Sequence, residues 1–145
     1  MRRLALLLLT LSLALPAAAE RLQRFGDLEV HYNVFNSSFL QPNVAAAAGL
    51  ARSKTQGVVN VVVMRAGKAV PNAAVTGTVK NLIGQGRTLN FKRVAEGEGA
   101  AEQQAVYHLA QFSMTEREVL TFDIKVQEGG QSHSLNFNQE VFPDE

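Results

Sequence analysis

Apolar and polar residues alternate along much of this 145-residue chain, and this two-residue period constrains the fold more than any other feature. The alternation is clearest in the segment from Val119 to Val126, where every second residue from Leu120 onward is apolar. Successive side chains of a β-strand point to opposite faces, so the segment predicts a strand with one buried and one solvated face. Gly129-Gly130 supplies turn residues, and the alternation resumes from Ser132 to Phe142 until Pro143 interrupts it. The two segments predict a β-hairpin.

Five further segments precede this hairpin, and glycine-rich or polar turns separate them. The predicted strands run from Phe25 to Phe35, Val58 to Arg65, Ala73 to Lys80, Thr88 to Val94 and Gln104 to Phe112. In the second of these, Asn60 is the one polar residue among valines, so we expect a central strand that is covered on both faces. About seven short strands predict an all-β, antiparallel sandwich rather than alternating β and α units.

One segment has helical rather than strand character. The stretch from Val44 to Leu50 contains four consecutive alanines, follows Gln41-Pro42-Asn43 and meets a stop signal at Gly49. These start, propensity and stop signals predict one or two helical turns. Because so short a helix is unstable alone, we expect a crossover that packs across one end of the sandwich.

The first nineteen residues have the three parts of a secretory signal peptide. Met1-Arg2-Arg3 is the positive start, the twelve residues from Leu4 to Leu15 form the apolar run, and Pro16-Ala17-Ala18-Ala19 is the small-residue exit. A helix that spans a bilayer needs about 20 apolar residues, so the segment predicts an export signal rather than an anchor. We expect cleavage after Ala19, a single domain over residues 20–145 and no membrane span.

Composition excludes several classes of function. The chain has no cysteine, which rules out a thiolate zinc site, a disulfide framework, a cysteine nucleophile and a lipid-anchored N-terminus. Removal of Arg2 and Arg3 with the signal would leave 12 basic and 13 acidic residues. A nearly neutral domain has no global field to attract phosphates, so we predict no nucleic-acid partner and no role at an anionic membrane surface.

The sequence resembles an uncharacterised family of small exported proteins of Gram-negative proteobacteria, which is catalogued only as a domain of unknown function. The resemblance rests on the run from His31 to Val63, on TGTVKNLIGQ from Thr76 and on LTFDIKV from Leu120. It implies a periplasmic protein with an immunoglobulin-like β-sandwich, and it implies no activity. The block from Asn33 to Leu40 and the loop Arg52-Ser53-Lys54 match the family pattern most closely, and they form a candidate surface.

Metal handling is one alternative function. Imidazole and thioether groups suit Cu(I), and the candidate ligands are His31, His108, His133, Met64 and Met114. None of them falls in a compact ligand spacing, so a site would have to be assembled across strands. We therefore predict no metal and no cofactor.

A hydrolase with a site assembled across strands is the second alternative. The chain contains no Gly-x-Ser-x-Gly, helical Ser-x-x-Lys or His-Glu-x-x-His motif, so we predict that it is not an enzyme. The carboxylate pairs Glu96 with Glu98 and Glu116 with Glu118 occur in polar, turn-like stretches. We interpret them as solvated surface charges.

Binding is the function that the residues favour. From Asn33 to Leu40, aromatic side chains interleave with amides and hydroxyls, which suit hydrogen bonding along a strand edge or groove. If the alternation continues, Phe35 shares a polar face with His31 and Asn33 and offers an exposed anchor. The alternative is that Phe35 and Phe39 cover one end of the sandwich under the helix, with Asn36 and Ser37 in the turn.

The candidate partner-binding surface comprises His31, Asn33, Phe35, Asn36, Ser37, Phe39, Arg52 and Lys54. In it, Arg52 and Lys54 would flank the same end of the sandwich and hold an acidic group, unless they are ordinary solvated charges. The predicted function is a non-catalytic periplasmic module that binds an envelope protein or an extended peptide. Strand addition along the first strand is one mode that this surface suggests.

Overall fold

The computed structural model describes residues 21–97 and 104–143. The predicted signal segment 1–19 and Glu98 lie outside the described residues. No helix in the described ranges is long and apolar enough to cross a membrane.

Ten strands in the described part of the chain form two antiparallel sheets. The strands are β1 (Arg21–Phe25), β2 (Leu28–Asn36), β3 (Gln56–Arg65), β4 (Lys68–Ala69), β5 (Ala74–Lys80), β6 (Gly86–Leu89), β7 (Lys92–Glu96), β8 (Ala105–Ser113), β9 (Glu118–Glu128) and β10 (Gln131–Val141). The six-stranded sheet has the order β1-β2-β3-β8-β7, with β4 paired to β3, and the four-stranded sheet has the order β10-β9-β5-β6. The central parts of these orders match the two sheets of immunoglobulin domains. The predicted immunoglobulin-like sandwich is therefore confirmed.

The main core lies between the two sheets, and the alternating residues of β9 form its centre. Phe122 and Ile124 are almost completely buried, as the alternation predicted. The Phe122 ring stacks on Phe137 of β10 at 5.0 Å between centroids and meets the edge of Phe112 of β8 at 5.3 Å. Burying a side chain of this size contributes about 1.5–3 kcal/mol, so the aromatic trio is a major part of the contact between the sheets.

An ion pair also joins the two sheets at one end of the sandwich. The Arg65 guanidinium at the end of β3 donates two hydrogen bonds to the Glu128 carboxylate at the end of β9, at 3.0 and 2.8 Å. Its Nε lies 3.2 Å from Oδ2 of Asp27. This pairing raises the pKa of Arg65 and lowers the pKa of Glu128, because each charged form is stabilised by the other.

Two strand predictions are wrong in their boundaries. The first predicted strand begins at Leu28 rather than Phe25, because Gly26, with a positive φ of 64°, and Asp27 form a turn that follows a separate strand β1. The segment from Thr88 to Val94 is two strands in different sheets: Leu89 pairs with Gly77, whereas Lys92 pairs with Leu109. The chain crosses between the sheets at Asn90 and Phe91, and Phe91 packs against the main core.

The predicted helix is present, but it starts earlier in the sequence and packs on a different part of the sandwich. Helix α1 (Pro42–Ala48) begins two residues earlier than predicted and ends at Gly49, whose φ is 68°. It packs on the outer face of the six-stranded sheet rather than across one end. There it covers a second core, which consists of Leu40, Ala45, Ala48, Val58, Val94 and Leu109.

This placement follows from the valine-rich strand β3. Val58 and Val59 point to opposite faces and both are completely buried. The inner face packs against the four-stranded sheet, so the outer face needs a separate cover, which α1 provides. The prediction of a central strand covered on both faces is confirmed, since β3 lies between β2 and β8.

Candidate binding pocket

A pocket of about 230 Å³ opens on the outer face of the six-stranded sheet, beside α1. Its lining residues are Phe35, Phe39, Leu40, Gln41, Val44, Asn60, Glu96, Tyr107 and Leu109. Pockets that hold drug-sized ligands measure about 300–1,000 Å³. The aromatic pocket, as we call this site, is therefore of a size that suits a single large side chain.

Strand register brings the floor of the aromatic pocket together. Phe35 of β2 pairs with Val58 of β3, and Asn60 of β3 pairs with Leu109 of β8. Because alternate residues share a face, Phe35, Asn60 and Leu109 all point outward from the six-stranded sheet. Tyr107 is two residues from Leu109 on the same face of β8, so four strand residues meet under the helix.

One polar atom of the pocket lacks a hydrogen bond. Asn60 Oδ1 is buried, and no described residue donates to it. Leaving a buried acceptor unpaired costs about 1–3 kcal/mol, and such groups in folded proteins call for an explanation. Because Asn60 Oδ1 is closed to water, a ligand that carries an N–H or O–H donor would remove this cost only if the Asn60 side chain turned toward the pocket.

The mouth of the pocket is formed by an exposed aromatic ring. Phe39 ends the 3-10 turn from Ser37 to Phe39 and is 76% exposed. The turn is fixed from beneath, since Ser37 Oγ donates to the Ser53 carbonyl at 2.9 Å and accepts from the Ser53 N–H at 2.8 Å. Arg52 Nη2 donates to the Ser38 carbonyl at 2.9 Å. Phe39 is thus displayed by a turn that is hydrogen-bonded to the neighbouring loop.

The candidate surface predicted from the sequence divides into parts with different roles. Phe35 and Phe39 line the aromatic pocket together. Ser37 is completely buried, so its hydroxyl serves the turn rather than a partner. Arg52 holds the same turn, and Lys54 is exposed in the loop that follows.

The other three predicted residues lie along β2 outside the pocket. His31 and Asn33 are on the outer face, where His31 Nε2 lies 3.4 Å from Oε2 of Glu29. Asn36 Nδ2 donates to the Phe142 carbonyl at 3.1 Å and so joins β2 to the end of β10. None of these three residues lines the aromatic pocket.

The suggested strand addition along the first strand is wrong for most of its length. Residues 28–32 of β2 already pair with β1 on one side, and the whole of β2 pairs with β3 on the other. Because β1 was not predicted, the edge of β2 was expected to be free. In the structure, β2 lies between β1 and β3.

Sequence reasoning did not select four polar or aromatic pocket residues, which are Gln41, Asn60, Glu96 and Tyr107. Asn60 stood out only as the polar interruption of an apolar strand, and Gln41 only as part of the start of the helix. Glu96 was interpreted as a solvated charge, whereas its side chain is half-buried at the pocket. The available signal was Asn60, because a polar residue within a strand covered on both faces needs a partner.

The possible metal ligands lie apart. His31 and Met64 are on the outer face of the six-stranded sheet, Met114 is in the main core, and His133 stacks on Phe25 at 4.7 Å. His108 is 4% exposed on the inner face of β8. Within residues 21–97 and 104–143, no three histidine, aspartate or glutamate side chains are grouped to hold a metal ion.

His108 is electrostatically unusual. Burial lowers the pKa of His108 to about 4, and the nearby positive charge of Arg93, its cross-strand neighbour on β7, acts in the same direction. Its Nε2 is buried with no hydrogen-bond partner among the described residues. His108 is therefore a neutral core residue at pH 7, and it does not line the aromatic pocket.

A larger cavity of about 790 Å³ lies on the four-stranded sheet. Its polar side chains include Thr76, Thr78, Asp123, Lys125 and Ser134, most of which are exposed. This groove contains no buried polar atom that lacks a partner among the described residues. The aromatic pocket is smaller, but it combines enclosure, aromatic walls and an unpaired acceptor.

The architecture defines an immunoglobulin-like β-sandwich protein with a side-chain-sized pocket on one sheet. Residues 22–144 match the family model described as Domain of unknown function (DUF4426). The chain belongs to this family.

Several solved structures are similar to the chain, and two of them are informative. A DUF4426 family protein from Pseudomonas aeruginosa PAO1 is 57% identical, with a TM-score of 0.79, and the match covers 90% of this chain and 100% of that one. FetP from uropathogenic Escherichia coli strain F11 is 10% identical with a TM-score of 0.62, covering 86% of this chain and 95% of FetP. The second likeness concerns the fold alone. No curated protein matches this chain.

Proposed function

We propose that this protein is a non-catalytic binding module of the bacterial envelope, whose aromatic pocket receives one side chain of a partner protein or extended peptide. The observation that carries the proposal is the unpaired Asn60 Oδ1 in a pocket that is bordered by the exposed ring of Phe39. Exposed aromatic residues beside desolvated pockets are common anchors of protein interfaces.

Sequence features support a periplasmic location. The chain begins with the three parts of an export signal, and its lack of cysteine means that an oxidising compartment would leave its covalent structure unchanged. FetP, the distant structural neighbour, was expressed in the periplasm of Escherichia coli.

The chemistry of the pocket supports binding rather than catalysis. Nucleophilic catalysis requires a nucleophile activated by a base that is itself oriented. The lining contains no serine, threonine, histidine or lysine. What it offers is apolar contact area with four residues that carry polar groups, Gln41, Asn60, Glu96 and Tyr107, and this combination suits recognition.

Photo-crosslinking in living cells tests the proposal. A photoreactive phenylalanine analogue would replace Phe39 in one strain and Phe142 in another, since Phe142 is also exposed, at 56%, but lies outside the pocket. We expect one discrete protein or peptide adduct from position 39 and none from position 142. A third strain would combine the position-39 analogue with Val44→Trp, which fills the pocket from α1.

The pocket-filling variant decides the result. The proposal predicts that Val44→Trp removes the adduct while the thermal unfolding midpoint of the purified protein stays within a few degrees of the wild type. An adduct that survives Val44→Trp, or the absence of any adduct at position 39, would contradict the proposal.

A further inference from the structure

Glu96 is the one charged residue that lines the aromatic pocket. The other polar groups of the lining are the amides of Gln41 and Asn60 and the hydroxyl of Tyr107, and Asn60 Oδ1 is a hydrogen-bond acceptor without a donor among the described residues. The rings of Phe35, Phe39 and Tyr107 complete the walls. No lysine, arginine or histidine is among the lining residues, so no positive charge in the lining balances Glu96.

Three other glutamates of the protein are paired with cations, whereas the exposed Glu116 and Asp123 form no ion pair with a described residue. Glu128 accepts a fork of two hydrogen bonds from Arg65, Glu140 lies 2.7 Å from Arg117, and Glu29 lies 3.6 Å from Arg24. Glu96 forms no such pair with any residue in the described ranges. It is half-buried and faces the pocket without a positive partner.

The possible anchors differ in how they meet these groups. An aliphatic side chain would fill the volume but leave Asn60 Oδ1 unpaired and displace water from Glu96. A carboxylate would be repelled by Glu96. A hydroxyl would serve Asn60 without balancing the charge. A cationic group with N–H donors can do all three things: donate to Asn60, pair with Glu96 and lie against the aromatic faces.

We propose that the side chain received by the aromatic pocket is cationic, a lysine or an arginine of the partner. This inference rests on the proposed function and specifies its recognition chemistry. Phe35 and Tyr107 contact the methylene stem, Phe39 closes over it, and the charged head meets Asn60 and Glu96. Long cationic side chains combine an apolar stem with a polar head, which matches the composition of the pocket.

Nuclear magnetic resonance titration of the purified mature protein tests this specificity. The probes are Nα-acetyl-lysine methylamide, Nα-acetyl-arginine methylamide and the neutral, similarly shaped Nα-acetyl-norleucine methylamide. We expect at least one cationic probe to shift the Asn60 side-chain amide signals and the backbone amides of Phe39 and Tyr107. The norleucine probe should bind at least about fivefold more weakly.

Two substitutions complete the test. Glu96→Gln keeps the size of the side chain. It should weaken the binding of the cationic probe about fivefold and leave the affinity of the norleucine probe unchanged. The matched control is Glu116→Gln, an exposed carboxylate before β9, which should change neither.

The outcomes separate the two proposals. Norleucine binding as tight as that of both cationic probes, or cation binding that is insensitive to Glu96→Gln, overturns the cationic anchor and leaves the pocket as a binding site. If no probe shifts the signals of Phe39, Asn60 or Tyr107, the pocket does not bind a side chain, and the proposed function is contradicted as well.

Discussion

Ser37 and Ser53 exchange two hydrogen bonds through the same hydroxyl, which donates to the Ser53 carbonyl and accepts from the Ser53 N–H. Ser37 is completely buried, so water cannot replace either bond. The pair links the 3-10 turn that presents Phe39 to the loop before β3. The geometry at the mouth of the pocket thus depends on a residue that is itself hidden from any partner.

Ser37→Ala should lower the free energy of unfolding by about 1–3 kcal/mol, because it leaves the Ser53 N–H and carbonyl without their partner. Urea denaturation measures the change. Ser132→Ala, which removes an exposed hydroxyl on β10, is the control and should stay within about 0.5 kcal/mol of the wild type. Equal stability of the two variants would show that the hydrogen-bond pair does not hold the turn.

Gly57 is constrained by a ring on the neighbouring strand. A Cβ at this position would lie 2.4 Å from Cζ of Phe112, which is closer than real Cβ contacts allow. Gly57→Ala should therefore destabilise the protein by about 1–3 kcal/mol, as overpacking of a core does. In a protein that already carries Phe112→Leu, Gly57→Ala should lower the free energy of unfolding by less than it does in the wild type. Additive effects in this double-mutant cycle would refute the contact.

His108 predicts a pH dependence of stability. Its pKa is about 4 in the folded protein, against an ordinary value of 6.5, so the unfolded chain binds a proton at higher pH than the folded chain does. Stability from this group is complete above pH 6.5 and is lost as the pH falls toward 4. Between pH 7 and pH 5 the loss is about 2 kcal/mol.

The variant His108→Leu removes the pH-dependent contribution of His108 to the free energy of unfolding, and it places an apolar residue of similar size in the core. Urea denaturation at pH 7 and pH 5 should show a smaller difference for the variant than for the wild type. His31→Gln, on the outer face of β2, is the control and should retain the wild-type difference. If His108→Leu keeps the full difference, the pH dependence arises elsewhere.

The sequence predicted the parts of the fold that depend on local alternation. The faces of β5, β9 and β10 are as expected, because one side of each strand is buried and the other is solvated. The split between β6 and β7 was not visible, because the alternation of Leu89 and Phe91 continues through the crossing between the sheets. The two-residue alternation is a local pattern, so it does not show where the chain leaves one sheet and begins to pair with the other.

The pocket was predictable only in part for a similar reason. Phe35 and Phe39 are near each other in the chain, and both were identified as candidates. Asn60, Glu96 and Tyr107 reach the same place only through the pairing of β3, β7 and β8, which is long-range information. The alternative interpretation, in which Phe35 and Phe39 cover one end of the sandwich, also fails for Phe39, which is 76% exposed.

The aromatic pocket, rather than the larger groove on the four-stranded sheet, is the proposed binding site. The most direct test is the dissociation constant of the crosslinked partner, produced recombinantly, for three forms of the mature protein: wild type, Phe39→Ala and Thr78→Arg. We expect Phe39→Ala to weaken binding at least about tenfold, and Thr78→Arg, which obstructs the groove, to have no effect. Binding that survives Phe39→Ala but is lost in Thr78→Arg would contradict the claim.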